Sequence, residues 1–260
     1  MQKEEKIKIS AIINTFNCEK TLCDTLESLK DLDEIVLIDF HSTDDTIEIA
    51  KEYKAKVIYS NKNELDIAFN QALDEIQNDW VFVVQDTEIA PQKLLFELNK
   101  YIEKPKKNKF CVTLPQKNFY LQKEIKFLKQ RGILRLFKKG HAKLKNNFSF
   151  ELKSQNSKIH KFNRNFKIQN GYLYNYLEAD ILKETENIIQ GLRLEFKHVK
   201  KANYCVFSKP FKTFCYWYLI KRGIFEKYGF MISAKKAYFE FIKQIMLKEK
   251  SIKGIEDDIW

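Results

Sequence analysis

Two apolar runs that stop abruptly in polar residues, with one helical stretch between them, constrain this chain more than any other feature. Ile9-Ser10-Ala11-Ile12-Ile13 runs into Asn14-Thr15-Phe16-Asn17. Ile35-Val36-Leu37-Ile38 runs into Asp39-Phe40-His41-Ser42-Thr43-Asp44-Asp45-Thr46. Leu22, Leu26 and Leu29 lie between them at i, i+4 and i+7, on one face of a helix. Strand, helix, strand in this order predicts a βαβ unit with a parallel sheet. Both polar segments then sit at the carboxyl ends of strands, where open α/β sheets bind their ligands.

The alternation continues. Strands are predicted over 7–13, 34–38, 57–59 and 80–84, and a fifth over 110–114. Helices are predicted from Asn17 to about Lys30, from Ser42 or Thr43 as cap to about Tyr53, over 64–77, and from Pro91 to Tyr101. The fold class is therefore α/β, a doubly wound, mostly parallel sheet. After Lys104-Pro105-Lys106-Lys107 the composition shifts toward Lys, Asn and aromatics. A helical stretch is predicted over 174–194, and an aromatic and basic helical region closes the chain. Three segments follow: 1–104, 105–170 and 171–260.

Composition narrows the function classes. With 260 residues, 44% hydrophobic and 31% charged, the chain can bury a core and keep a polar surface. A net charge of +11 attracts phosphates, nucleic acid or anionic lipid. The opening Met-Gln-Lys-Glu-Glu-Lys has no apolar core of a secretory signal, and no run of about 18 apolar residues spans a bilayer. The expectation is a cytoplasmic chain, peripheral to the inner membrane's cytoplasmic face. Its five cysteines are odd in number and lack metal spacing, which fits reduced thiols. His41, His141, His160 and His198 are scattered, without the spacing of a zinc site. Phosphate-loop, dinucleotide-fingerprint and nucleophile-elbow motifs are absent.

Thr15-Phe16-Asn17 followed by Asp39-Phe40-His41-Ser42-Thr43-Asp44-Asp45-Thr46 resembles the nucleotide-sugar half of family 2 inverting glycosyltransferases of the GT-A (Rossmann-like) type. The resemblance implies that Thr15, Phe16, Asn17 and Asp39 hold the nucleotide, with Phe16 where the family usually has Tyr. Ala68-Phe69-Asn70-Gln71-Ala72-Leu73 is similar to a family helix that lies beside the nucleotide, and points to Asn70 as a ligand contact or site support. The family's Asp-x-Asp, which holds a divalent metal on the donor diphosphate, falls on Gln85-Asp86-Thr87-Glu88. Gln85 and Thr87 replace the two acids. Either Asp86 and Glu88 form a shifted pair for Mg²⁺ or Mn²⁺, or the site works without metal, or it is inactive.

Further along, Leu134-Arg135-Leu136-Phe137-Lys138-Lys139-Gly140-His141 and Phe148-Ser149-Phe150-Glu151 resemble the acceptor side of lipopolysaccharide-core members of the family. That resemblance makes Glu151 the catalytic base, with Phe150 where a His is usual. Arg135 and Lys138 are candidates to reach phosphate. Pro210-Phe211-Lys212-Thr213-Phe214, Lys221-Arg222-Gly223 and Gly229-Phe230 are similar to the tail of the same subgroup. Aromatics with Lys and Arg around them suit a lipid–water interface, or packing on the catalytic domain or a second subunit as a homodimer.

The leading expectation is an inverting hexosyl- or deoxyhexosyltransferase. It would take a nucleotide-sugar donor and extend a lipopolysaccharide core or similar cell-envelope glycan, its glycolipid acceptor. A degenerate relative that binds sugar nucleotide or glycolipid without turnover is the second reading. A basic nucleic-acid-binding protein is the third, and no recognition motif supports it.

Overall fold

The computed structural model describes residues 6–61, 64–104, 110–128, 133–145, 149–152, 172–177, 185, 189, 192 and 205–252. They form two compact units. The first comprises Met1–Lys117 and Gln130–Tyr176, the second Asn118–Lys129 and Leu177–Trp260.

The first unit is built on a six-stranded sheet. Strands β1 (Ile7–Thr15), β2 (Leu32–Asp39), β3 (Lys56–Tyr59) and β4 (Trp80–Gln85) are mutually parallel. The chain adds the short β5 (Glu88–Ile89), then β6 (Cys111–Leu114), β7 (Gln116–Tyr120), β8 (Lys123–Glu124) and β9 (Ile133–Lys138). Strand β9 runs antiparallel to both β4 and β6, which gives the order β3-β2-β1-β4-β9-β6. The order reverses between β1 and β4. That junction is the topological switch point, where the carboxyl ends of a doubly wound sheet open a crevice.

Helices α1 (Glu19–Leu29), α2 (Thr46–Glu52), α3 (Leu65–Glu75) and α4 (Gln92–Glu103) cover the sheet. On one face Ile9, Ala11 and Ile13 of β1 pack with Leu22, Leu26 and Leu29 of α1 and Leu94, Leu95 and Leu98 of α4. On the other, Ile12 and Ile38 pack with Ala68, Phe69, Ala72 and Leu73 of α3. Apolar side chains on both faces are what parallel strands need, because helices cover both sides. The α/β, mostly parallel architecture expected from the alternating pattern is what forms.

Several local expectations are corrected. Residues 174–194 were expected to be helical, but β12 (Leu173–Tyr176) is a strand paired with β5 through Tyr174 and Asn175. Leu173 and Asn175 alternate inward, which gives this segment the period of a strand. Of the rest of that span, Leu177 has no regular structure, Thr185, Ile189 and Leu192 are helical, and the others lie outside the described residues. Strand β12 pairs with β5 and lies in the first unit. Tyr120, Ile125 and Leu128 share a core with Ile232 in the second unit. Ser42 and Thr43 do not cap α2. Asp45 stands at its N-cap, and Ser42 bonds elsewhere.

The second unit contains the β7–β8 hairpin contacts Phe119–Glu124 and Tyr120–Lys123. Its described helical elements include Ser208–Cys215, a π-turn at Tyr216–Ile220, a 3₁₀ turn at Gly223–Phe225 and the long Gly229–Ile252. No helix among the described residues is long and apolar enough to cross a membrane.

Burial ranks the thiols. It pushes Cys18 up to about 12 and Cys111 to about 11. The Ser208 hydroxyl beside Cys205 lowers that thiol. At pH 8 iodoacetamide should alkylate Cys205 and the exposed Cys23 while Cys18 and Cys111 stay intact until the chain unfolds. Mass spectrometry of time-quenched samples reads this, and fast native labelling of Cys18 would contradict the packing.

Candidate active site

The loops that follow β1 and β2 at the carboxyl end of the sheet are tied to each other. Asp39 ends β2 fully buried. A carboxylate in that position requires hydrogen-bond donors, and three are present. Thr15 Oγ1 donates to Asp39 Oδ1 at 3.0 Å, Ser42 Oγ to the same oxygen at 2.6 Å, and the Ser42 backbone N–H to Oδ2 at 2.8 Å. The backbone N–H of Phe40 donates to Thr15 O at 3.0 Å.

Asn17 takes up the stitch one residue pair further on. Its N–H donates to Ser42 Oγ at 2.9 Å, and its Oδ1 accepts the N–H of Thr43 at 2.8 Å. Both Asn17 (φ 47°) and His41 (φ 59°) sit in the left-handed region. Asn tolerates that backbone better than most residues. The N–H of Cys18 donates to Thr46 Oγ1 at 2.8 Å, and Asp44 accepts from the N–H groups of Glu19 and Thr46. The structure thus brings Thr15, Phe16, Asn17 and Asp39 together. Thr15, Asn17 and Asp39 hold the shape of the loops.

Asn70 stands on α3, away from that stitch. Its Nδ2 donates to Leu144 O at 3.0 Å, and its Oδ1 accepts the Leu144 N–H at 3.2 Å. It fastens α3 to β10 (Ala142–Lys145), so of the two expected roles, contact or support, its bonds are those of support.

The turn after β4 carries the altered acidic motif. Gln85 is exposed, Asp86 and Thr87 are half-buried, and Glu88 is fully buried. Glu88 Oε1 meets Arg135 at 2.5 Å, and its Oε2 accepts the Gln85 N–H at 2.8 Å. Arg135 also donates to Val83 O at 3.4 Å. Burial pushes the Glu88 carboxyl up and the Arg135 guanidinium down, and each charge opposes the shift of the other. The turn is further held by Thr25 Oγ1 on Asp86 O, at 2.9 Å, and by the Thr87–Asn175 side-chain bond at 3.0 Å.

Two expectations change here. Arg135 does not reach toward phosphate. It is buried against Glu88, as an Arg between leucines on a core strand must be if it is to keep its charge. Lys138 pairs with Asp79 at 3.2 Å. Glu88, taken above as half of a shifted metal pair, has both oxygens engaged within the protein. Asp86, half-buried, is the other acid of this turn. Among the described residues no three His, Cys, Asp or Glu side chains gather into a metal-binding group. One carboxylate still fits a Mg²⁺ or Mn²⁺ whose remaining ligands are diphosphate oxygens and water, the usual environment of magnesium on nucleotides.

Glu151 lies on β11 (Ser149–Leu152), opposite Lys143 of β10 in an antiparallel pair, and its side chain lies outside the described residues.

Sequence reasoning missed Asn14. It is in register with Ile38 on β2 and Gln85 on β4, which puts the three side chains on the sheet face that carries α3. Asn14 Oδ1 is the one buried side-chain oxygen or nitrogen without a hydrogen-bond partner among the described residues. The available signal was an amide ending an otherwise apolar strand. The Ser42 and Thr46 anchors were visible only as small polar residues after Asp39. The Arg135–Glu88 pair was visible as a charge inside an apolar strand that had to find a partner.

Losing one member of a buried ion pair costs roughly 3–5 kcal/mol, whereas replacing both by apolar groups is often neutral. Arg135→Met and Glu88→Leu alone should therefore each destabilise by that order in urea unfolding. The double variant should recover most of the loss. Additive losses would contradict the pairing.

The pattern of Glycosyl transferase family 2 matches residues 10–166. An uncharacterised glycosyltransferase of Rickettsia typhi is 27% identical over 95% of this chain and 89% of its own. Among solved structures, glucosyl-3-phosphoglycerate synthase from Mycobacterium tuberculosis, in complex with Mn²⁺ and UDP-glucose, is similar at 20% identity and TM-score 0.33 over 43% of each chain. S. aureus TarS (residues 1–349) is similar at 16% identity and TM-score 0.42, over 96% of this chain and 81% of that one. With the family pattern covering more than half of the 260 residues and lying on the sheet and loops described above, the chain belongs to Glycosyl transferase family 2 and is a transferase.

Proposed function

We propose that the chain is an inverting glycosyltransferase that moves a hexosyl or deoxyhexosyl group from a nucleotide sugar to a lipopolysaccharide core or similar cell-envelope glycan. It works at the cytoplasmic face of the inner membrane. The observation that carries the donor half is the stitched pair of loops at the switch point, with the unpartnered Asn14 Oδ1 beside them. A buried acceptor without a donor costs roughly 1–3 kcal/mol, and a hydroxyl or N–H of the bound nucleotide sugar would satisfy it. The acceptor half rests on the resemblance of residues 134–151 to lipopolysaccharide-core enzymes.

In this reading the loops of Thr15, Phe16, Asn17 and Asp39 seat the nucleotide, and the Phe16 ring offers a face for the base. The Glu151 carboxylate takes the proton of the acceptor hydroxyl as its oxygen bonds to the anomeric carbon. The bond from that carbon to the phosphate oxygen breaks, and its electron pair leaves with the nucleoside diphosphate. Attack opposite the leaving group inverts the anomeric centre. Asp86 would hold a divalent metal, which when bound offsets the charge growing on the diphosphate. Glu88 and Arg135 keep the Asp86 turn in place.

Thermal shift against UDP-, GDP- and CMP-sugars, with and without Mn²⁺, tests the donor site. A ligand at 100 times its dissociation constant adds about 2.7 kcal/mol. One nucleotide class should stabilise the wild type, with the metal-dependent part lost in Asp86→Ala. No response to any nucleotide would leave the non-catalytic reading.

Two variants separate roles. Glu151→Gln should keep donor stabilisation and lower turnover on the order of 10²–10⁴-fold, and full turnover would remove Glu151 as base. Asn14→Leu should leave stability unchanged or raised while weakening donor binding roughly tenfold, as expected for one lost hydrogen bond. Unchanged donor affinity in calorimetry would show that Asn14 faces no ligand.

A further inference from the structure

We propose that the helical hairpin tip of the second unit, residues 207–231, is a docking surface for an anionic lipid bilayer. This deepens the reading above, which sets the acceptor in a membrane, and rests on that reading only for which membrane it is.

The stretch holds nine of the fifteen most exposed large apolar side chains among the described residues. Phe207 at the N-cap and Phe211 one turn on, in the helix Ser208–Cys215, are both exposed. At the tip, Ile220 is 71% and Phe225 82% exposed, with Leu219 and Ile224 beside them. A soluble surface seldom gathers so much exposed apolar area without a partner. The tip is not loose. A Cβ on Gly223 would meet Trp217 O at 2.8 Å and Ser233 Oγ at 3.2 Å, so the turn is seated on the helices behind it. The half-buried Phe214 and Tyr218 pack ring against ring with each other and with the exposed Phe230 at 5.3–5.9 Å.

Charge decides among occupants. Lys209, Lys212, Lys221, Arg222 and Lys227 lie within the stretch, against the single acid Glu226. Arg222 stands at the turn with φ 63°, and Lys221 Nζ lies 5.5 Å from the Tyr216 ring centroid. A two-fold dimer through this surface would set the same basic groups against each other. An anionic bilayer matches both features. Ile220 and Phe225 enter the acyl boundary, the exposed Tyr216 suits the headgroup level, and the long basic side chains reach lipid phosphates.

The test is co-sedimentation of the full chain with vesicles of phosphatidylcholine, or of phosphatidylcholine mixed with phosphatidylglycerol, with no glycolipid in either. The wild type should sediment with the anionic vesicles, stay in solution with the neutral ones, and be released by salt. Ile220→Ser/Phe225→Ser should weaken binding on the order of tenfold or more. Lys221→Gln/Arg222→Asn, which keeps a residue suited to the left-handed backbone, should weaken it about fivefold per charge removed. Both pairs are exposed, so the melting temperature should hold. The proposal is overturned if neither vesicle retains the chain, or if both variants bind like the wild type. It is also overturned if the variants lose self-association or RNA binding instead. Nucleotide stabilisation in the same samples separates the two readings. Its survival alongside failed vesicle binding removes this surface and leaves the transferase site standing.

Discussion

A carboxylate with no exposed surface, Asp39, is the interaction on which the loops at the carboxyl end of the sheet depend. Its two oxygens gather Thr15 from β1 and both the hydroxyl and the N–H of Ser42. From Ser42 the bonding passes to Asn17, and from Asn17 to Thr43. Parallel strands deliver their carboxyl ends side by side, but they leave open how the following loops run. Here one buried charge sets both loops, because only a full set of donors makes its burial tolerable. A substrate site on such loops is formed before the substrate arrives, which lowers the ordering cost of binding.

The turn after β4 follows the same logic with a charged partner in place of neutral donors. Glu88 is neutralised by Arg135 from a strand that lies next to β4 in space and about fifty residues later in sequence. Asp86 is the neighbouring acid of the same turn, half-buried just past the carboxyl end of β4. Glu88 acts on structure, and Asp86 is proposed to act on the donor. Gln85 and Asn14 place two amides in register where the sheet opens, and their chemistry suits hydrogen bonding to a sugar nucleotide without adding charge.

Much of the fold was legible because strand and helix periods are local. The runs ending at Ile13, Ile38 and Val84, and the leucines of α1, report burial on both sheet faces directly. The β12 strand was not legible, since Tyr174-Asn175-Tyr176 owes its extended form to pairing with Glu88 and Ile89. Its two-residue alternation spans only four residues, too short to tell from a helix before the partner eighty-five residues away is known. At the site, Thr15, Asn17 and Asp39 were singled out by the resemblance of their motifs to family 2, but what they bond within the protein was not legible. Arg135 was read as a phosphate ligand because sequence shows the charge and not the partner. Asn14 escaped because one amide at a strand end looks like the start of a loop.

The central claim is that the stitched loops at the switch point receive the donor nucleotide. Hydrogen–deuterium exchange with and without nucleoside diphosphate and Mn²⁺ tests it most directly. The account predicts slowed exchange confined to amides of residues 15–19, 40–46 and 85–88, with the second unit unchanged. Binding seen by calorimetry together with protection elsewhere and none in these loops would contradict it.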